Sequence, residues 1–183
     1  MYPEYAIVNG KKVKINTDFK VALKCFEILN DDTTGEYERV LAIVYLLFGE
    51  IPPYDELNAY ANQAVKFLQC GEEPKENAQE ENSKRDIDMV LDMQYIRPSF
   101  MADYNIDLNK TDLHFWQFCE LISGLSENSL LNRVRSIRTA NINDYKGEAK
   151  EKMLKAKQQV ALPNVMSDDD KIVWDEWESL FED

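Results

Sequence analysis

The sequence predicts a mainly α fold, a multi-helix bundle with a small N-terminal β-hairpin and an acidic C-terminal tail. Three observations lead to this prediction. Apolar residues recur every three or four positions along most of the chain, which is the period of a helix with one buried face. Near the start, Asn9-Gly10 separates two short apolar stretches. Residues 164–183 hold eight acidic side chains and one lysine, so this end of the chain has a different composition.

The N-terminal hairpin is predicted from Tyr5–Val8, the Asn9-Gly10 turn and Lys11–Ile15. Asn-Gly favours a type I′ turn because both residues tolerate positive φ. An isolated hairpin is marginal in water, so we expect it to pack on helices or to join a sheet edge of another chain. If the register allows, one face is apolar and consists of Ile7, Val13 and Ile15.

Three amphipathic helices are predicted after the hairpin, each with turn-forming residues beyond its end. The first begins at Thr17-Asp18 and stops before Asn30. The second runs from about Glu36 to Phe48, where Gly49 breaks the pattern. The third runs from about Tyr54 to Gln69.

The chain is predicted to divide at a polar, acidic stretch. Residues 71–82 contain five glutamates, one lysine and almost no apolar side chain, so they cannot bury enough surface to order themselves. We therefore predict an N-terminal part with the hairpin and three helices (1–70), a flexible linker (71–82), a helical body (83–163) and a tail (164–183).

The helical body centres on a helix between Leu113 and Gly124 that is apolar nearly all round, which is typical of a helix buried in a bundle. Thr111 or Asp112 is predicted to cap its start, and Gly124 to end it. Upstream, Pro98 is expected to kink or break the segment that carries it, because proline lacks the N–H and clashes with the preceding turn.

Two further helices are predicted, one opened by Ser126–Ser129 and one over about Tyr145–Val160. The first should bury Leu130, Leu131, Val134 and Ile137, and should project Arg133, Arg135 and Arg138. Residues 133–157 carry eight basic and three acidic side chains, which makes this the basic region of an acidic chain.

The tail is acidic but patterned. Trp174, Trp177 and Phe181 can share one face of a helix whose N-terminal end is rich in acids, where the helix dipole favours them. Aromatic anchors on such a helix indicate a docking segment for a partner. The alternative is that the tail packs back on its own body, and both readings stay open.

No catalytic residue, metal ligand or cofactor site is predicted. His114 is the only histidine and has no partner at a metal-binding or catalytic spacing, so we interpret it as structural. Asp88 and Asp92 are interpreted as acids on a solvated helix face. Cys25, Cys70 and Cys119 are far apart in sequence and are expected to be reduced thiols. No apolar run is long enough to span a membrane, and no signal peptide is visible.

Several blocks between 86 and 163 together resemble the "gp fifteen" family of tail proteins from long-tailed bacteriophages and prophages of Gram-positive bacteria. The blocks are Tyr104-x-Ile-Asp-Leu108, Leu113-His-x-Trp-x-Phe118, Leu121-Ile-Ser-Gly-Leu125, Arg138-Thr-x-x-Ile142 and Ala161-Leu-Pro163. The aromatic and apolar residues of this resemblance look structural: Tyr95, Phe100, Tyr104, Ile106, Leu108, Leu113, His114, Trp116, Phe118, Leu121, Gly124 and Leu125.

The resemblance implies a non-enzymatic tail assembly chaperone in the bacterial host cytoplasm. Its partner would be the long, helical tape-measure protein, and the tail tube protein would be a second partner. Self-association is left open. The resemblance does not extend to the tail. From the residues themselves we predict that binding uses exposed apolar grooves between body helices, with Trp174, Trp177 and Phe181 as further contacts and Arg133, Arg135 and Arg138 as candidate partner-binding residues.

Three alternatives remain. Residues 133–157 could contact nucleic acid, although the strong net negative charge of −13 argues against it. The protein could instead be a minor structural component of the finished tail. The third possibility is a small metal-dependent enzyme. It would be excluded if metal analysis of the purified protein found no metal.

Overall fold

The computed structural model describes residues 1–71 and 86–163 of this chain. The described residues form two compact units, one with 1–71 and 111–123 and one with 86–110 and 124–163. They contain seven α-helices and one two-stranded antiparallel sheet, which confirms the predicted fold class. No helix in these two ranges is both long enough and apolar enough to cross a membrane.

The first compact unit is not one continuous stretch of sequence, unlike the predicted N-terminal part. It also contains Thr111–Ser123, which we expected within the helical body 83–163. The predicted linker lies outside the described residues except for Gly71, and the predicted tail lies outside them entirely.

The hairpin of the first unit consists of β1 (Tyr5–Val8) and β2 (Lys11–Lys14). Asn9 and Gly10 both have positive φ, as the Asn-Gly turn requires. The register pairs Ala6 with Val13 and Ile7 with Lys12. The inner face therefore carries Ala6, Val8 and Ile15, which are buried. The side chain of Ile7 is exposed, so its expected place on the apolar face was wrong, whereas that of Ile15 was right.

Three helices follow in the first unit: α1 (Phe19–Leu29), α2 (Glu36–Phe48) and α3 (Tyr54–Leu68). The Asp18 carboxylate caps α1 by accepting a hydrogen bond from the Lys20 backbone. Gly49 ends α2 in the left-handed conformation, with φ of 75°. These three helices are confirmed to within a few residues at their ends.

The fourth helix of this unit, α5 (Phe115–Ser123), completes its core. The stretch before α5 pairs with the stretch before α1, because Phe19 N–H donates to Leu113 O and Phe115 N–H donates to Thr17 O. This pairing sets the two helix starts side by side. It brings Phe118 against Phe19, with ring centroids 4.7 Å apart, and packs Phe115 against aromatic rings of α1 and α3.

The second unit contains α4 (Met93–Tyr104), α6 (Leu130–Thr139), a short 3₁₀ helix (Ile142–Asp144) and α7 (Gly147–Val160). Ser129 caps α6, as its position predicts. The last helix begins two residues later than predicted, because the 3₁₀ turn capped by Asn141 precedes it.

The buried hydroxyl of Ser99 links α4 to α6. The Ser99 side chain donates to the Tyr95 carbonyl and accepts from the Leu131 backbone N–H at 3.0 Å. On α6 the buried residues are Leu131 and Val134, whereas Leu130 is exposed and not inward-facing as predicted.

Pro98 does not break the chain into two helices, because it lies inside α4. Its side chain is exposed, so the ring faces away from the core of this unit. The Gln94 carbonyl loses the N–H that a residue other than proline would donate from position 98. The helix tolerates this single loss because the turns on both sides remain packed by Ile96 and Phe100, which are fully buried.

Candidate partner-binding surface

The residues that carry the family resemblance differ in how deeply they are buried. The buried ones are Phe100, Leu108, Leu113, Phe118 and Leu125. The half-buried ones are Tyr95, Tyr104, Ile106, His114, Trp116 and Leu121, and Gly124 is exposed. Trp116 also anchors two helices, because its indole N–H donates to the Phe67 carbonyl at the end of α3, at 2.8 Å.

His114 occupies the N-cap of α5, where we predicted Thr111 or Asp112. Its Nδ1 accepts from the Trp116 backbone N–H at 3.1 Å, while Nε2 lies 2.9 Å from the Pro3 carbonyl. The two contacts together require the neutral tautomer with the proton on Nε2, because Nδ1 must accept and Pro3 O must receive a proton. The ring also stacks on Tyr2, at 4.9 Å between centroids. His114 therefore ties the N-terminus to α5.

A buried ion pair organises the second unit. Arg138 on α6 contacts Asp92, just before α4, through two parallel hydrogen bonds of 2.6 and 2.8 Å. The side chains are 8% and 1% exposed, respectively. Arg138 also donates to the backbone carbonyls of Asp86 and Val160, so one guanidinium joins α6 to the segment before α4 and to the end of α7. The hydrogen bonds to Asp92 raise the pKa of Arg138, which stays charged.

Asp88 extends this network into the turn before α4. Its carboxylate accepts from the backbone N–H groups of Val90 and Leu91, each at 2.8 Å, and its own N–H donates to the Asp92 carboxylate. Asp88 is 3% exposed. Asp88 and Asp92 are therefore buried acids that hold a turn, and the prediction of a solvated helix face was wrong.

The basic segment is less available to a partner than the sequence indicates. Contrary to the prediction, Arg138 does not project from the surface, and Arg135 pairs with Asp86 at 2.8 Å. Lys157 donates to the carbonyls of Arg138 and Ala140. Arg133 is exposed as predicted. Part of the positive charge of residues 133–157 thus serves to hold the second unit together.

Two open grooves in the first unit border the Lys14 side of the hairpin. One, of about 620 Å³, lies between the residues that follow β2, the end of α2 and the segment before α5. The other, of about 550 Å³, lies between β2 and the α2–α3 connection, including Glu50, Ile51 and Glu56. Lys14 and Phe48 line both grooves, so they form the ridge between them.

Three exposed apolar side chains lie around the connection between α2 and α3, and one of them, Ile51, lines the second groove. Tyr45, Ile51 and Tyr54 are 56%, 61% and 81% exposed, and all three lie within ten residues of sequence. Together with the exposed Pro53 we call them the α2–α3 surface. Large apolar groups clustered at the rim of a groove are typical of a protein–protein contact site.

The lysines of β2 give this region a positive edge. Lys11 forms an ion pair with Glu56 at 3.0 Å, and Lys12 lies over the ring of Tyr5, 4.0 Å from its centroid. Lys14 lines both grooves and is exposed. The grooves therefore combine apolar side chains with lysines and with the carboxylates of Asp18, Asp112, Glu50 and Glu56. Such a mixed lining suits a partner segment that carries both apolar and charged side chains.

The other predicted anchors, Trp174, Trp177 and Phe181, lie outside the described residues. Within the described ranges, no group of three or more His, Cys, Asp or Glu side chains is arranged to hold a metal ion. The features that sequence reasoning missed are the Asp92–Arg138 pair and the α2–α3 surface. The exposed Tyr45 and Tyr54 give no periodic signal of their own, because their helices also carry a buried face, and Ile51 lies in the connection between the helices.

The sequence model of one protein family, described as Bacteriophage Gp15 protein, matches residues 4–162. The match includes the hairpin and the first three helices, so it reaches well beyond the 86–163 stretch that carries the resemblance. It ends before the acidic tail. No curated protein and no solved structure matches the chain.

Proposed function

The chain belongs to the bacteriophage Gp15 protein family, and from this premise we propose that it is a non-catalytic tail assembly chaperone. It would bind helical segments of the tape-measure protein in the host cytoplasm before the tail tube surrounds them. The single observation that supports this most is the combination of two open grooves with the exposed α2–α3 surface.

A long helical protein awaiting a tube exposes apolar stripes that aggregate, so its chaperone needs a surface that covers them. An amphipathic helix binds by laying its apolar face into a groove, with anchors at every third or fourth residue. We propose that such a helix places its anchors beside Phe48 and against Ile51 and Tyr54. Acidic side chains on the flank of the helix would meet Lys12 and Lys14.

Net charge supports the same role. Residues 71–82 and 164–183 carry −4 and −7, which leaves −2 for the rest of the chain. A body near neutrality can bind an apolar partner, while strongly charged segments keep the complex soluble. The aromatic residues of the tail, Trp174, Trp177 and Phe181, are a second proposed contact.

Co-expression tests the proposal. The partner is the product of the longest reading frame just downstream in the same gene cluster, expressed with and without this chain. We expect the partner to be insoluble alone, and to be soluble and co-purify when this chain is present. A partner that stays insoluble, beside a free and monodisperse chain, would argue against the proposal.

Surface variants locate the contact. Ile51→Glu and Tyr54→Glu place a carboxylate at exposed positions, so the fold should be kept while partner recovery falls by about tenfold or more for each, as expected at an interface anchor. The matched control is Met101→Glu, whose side chain is 45% exposed on α4 in the second unit. Equal recovery for all three variants would remove the α2–α3 surface from the proposal.

Deletion of 164–183 tests the tail separately. If the tail contributes anchors, partner recovery falls while the thermal unfolding midpoint of the remaining chain is unchanged. Unchanged recovery together with an unchanged midpoint would exclude any role of the tail in binding or in stability.

A further inference from the structure

Two thiols that are 49 positions apart in sequence meet in the first unit. Cys70 follows the end of α3, and Cys119 lies in the middle of α5. The side chains are in hydrogen-bonding contact with each other. Both are half-buried, so solutes can reach them, whereas Cys25 is buried.

Neighbouring contacts fix this meeting. Phe67 lies three positions before Cys70, and Trp116 lies three positions before Cys119. The Trp116 indole N–H donates to the Phe67 carbonyl at 2.8 Å. Gly71 lies against the same indole, because a Cβ at this position would be 2.7 Å from the Trp116 ring. Cys70 itself has a positive φ of 56°, which turns the chain sharply at the end of α3. Thus the end of α3 is held on the face of α5 that carries Cys119.

We propose that Cys70 and Cys119 form a reversible dithiol modification site, which a low-molecular-weight disulfide such as oxidised glutathione converts to an intramolecular disulfide. The first thiol attacks the glutathione disulfide, forming a mixed disulfide and releasing one reduced glutathione. The second thiol then attacks the protein-bound sulfur and releases a second reduced glutathione. Two cysteines are oxidised, one glutathione disulfide is reduced, and the two thiol protons pass to the two leaving thiolates.

The contact also affects the acidity of the pair. The hydrogen bond with Cys70 and partial burial both raise the pKa of Cys119. Cys25 provides an internal control, because burial raises its pKa to about 12 and leaves almost no thiolate at neutral pH.

The consequence for the fold is a covalent link between the end of α3 and α5. A disulfide that closes a long loop restricts the unfolded chain and so stabilises the folded state. We expect the oxidised protein to unfold at a higher temperature than the reduced one. In a reducing compartment the dithiol is the resting form, and the disulfide forms only when the thiol pool is oxidised.

The test is incubation of the purified full-length protein with oxidised glutathione, followed by thiol titration and tryptic peptide mass spectrometry without reduction. We expect free thiols to fall from three to one, with peptide 67–75 joined to peptide 111–133 and with peptide 25–39 unmodified. A reducing agent should restore all three thiols. Three free thiols after incubation, or links between separate chains instead of within one, would overturn the proposal.

Single variants test whether these two thiols act as a pair. Cys119→Ser and Cys70→Ser each remove one partner, so the remaining thiol should stop at a mixed disulfide with one glutathione and form no intramolecular disulfide. Cys25→Ser is the matched control and should form the disulfide at the wild-type rate. An intramolecular disulfide that still forms in Cys70→Ser or Cys119→Ser, or one that is lost in Cys25→Ser, would contradict the assigned pair.

Discussion

At the scale of single residues, the Asp92–Arg138 pair joins separate segments of the second unit. Two charges are removed from water, and the cost is offset because both ends are fully hydrogen-bonded. Such a pair contributes little compared with apolar residues of the same volume, but removing one partner leaves the other charge buried and alone.

We therefore predict a large effect for Arg138→Ala. The variant should lose about 3–5 kcal/mol of unfolding free energy, because Asp92 stays buried without its guanidinium. Urea unfolding followed by circular dichroism measures the loss, and hydrogen exchange should place it in 86–110 and 124–163. The matched control is Arg133→Ala on the same helix, whose exposed side chain should matter by less than about 0.5 kcal/mol. Equal unfolding midpoints for the two variants would contradict this account.

Because of Tyr60 on α3, we expect the free energy of unfolding to depend on pH in the alkaline range. Its phenol donates to the Glu50 carboxylate at 2.7 Å, and this hydrogen bond, together with burial, raises the pKa of Tyr60 to about 12. In the unfolded chain the phenol ionises near its ordinary value of 10.0. The folded state thus holds a proton that the unfolded state has lost, so stability falls as pH rises from about 10 to 12.

The expected result for Tyr60→Phe is a flatter alkaline profile. Wild type should lose up to about 1.4 kcal/mol of unfolding free energy per pH unit in this window from Tyr60 alone, and the variant should lack that contribution. Urea unfolding at a series of pH values from 8 to about 12 measures the slope. Parallel profiles for the two proteins would show that Tyr60 does not titrate as described.

Two residues have partners that lie far along the chain, which local sequence reasoning could not foresee. Asp92 lies 46 positions before Arg138, and no local pattern links them. The spacing of Asp88 and Asp92 fits a solvated helix face equally well, because spacing carries no information about burial. His114 caps α5 locally through the Trp116 N–H, but it also contacts the Pro3 carbonyl, 111 positions away.

At the scale of elements, local signals predicted the helices well where residues with special conformations mark the ends. The predicted limits of α2, Glu36 and Phe48, match the structure because Gly49 adopts the left-handed conformation that ends helices. The hairpin turn was predicted for the same reason. The face of the hairpin was not, since a shift of one position in register exchanges the two faces.

Pro98 in α4 gives a prediction for this scale. Pro98→Ala restores an N–H that can donate to the Gln94 carbonyl and removes the clash of the ring with that carbonyl. Because the side chain is exposed, no core contact is lost. We expect a gain of about 1–2 kcal/mol in unfolding free energy, less than the full propensity difference because proline also restricts the unfolded chain.

The measurement is the thermal unfolding midpoint, with Arg97→Ala as a control at the neighbouring exposed position. A midpoint for Pro98→Ala at or below that of wild type would mean that α4 needs proline at this position and would contradict the prediction.

At the scale of the whole molecule, the family match and the compact units both cross the predicted boundary at 71–82. The match covers 4–162 as one stretch, and Thr111–Ser123 packs with the N-terminal elements. Sequence reasoning missed this because composition marks where the chain is polar, not which helices share a core. The apolar character of α5 was predicted, but its partners Phe19 and Phe67 lie across that boundary in sequence.

The central proposal is that this chain binds helical segments of one long partner. Such a partner offers many segments, so we expect many copies of the chain to coat it, and the number of bound copies tests this most directly. The measurement is the mass of the co-purified complex by light scattering, combined with the ratio of the two chains. The account predicts several copies per partner, with fewer copies for Ile51→Glu and Tyr54→Glu. A single copy per partner, or a partner that is equally soluble without this chain, would contradict it.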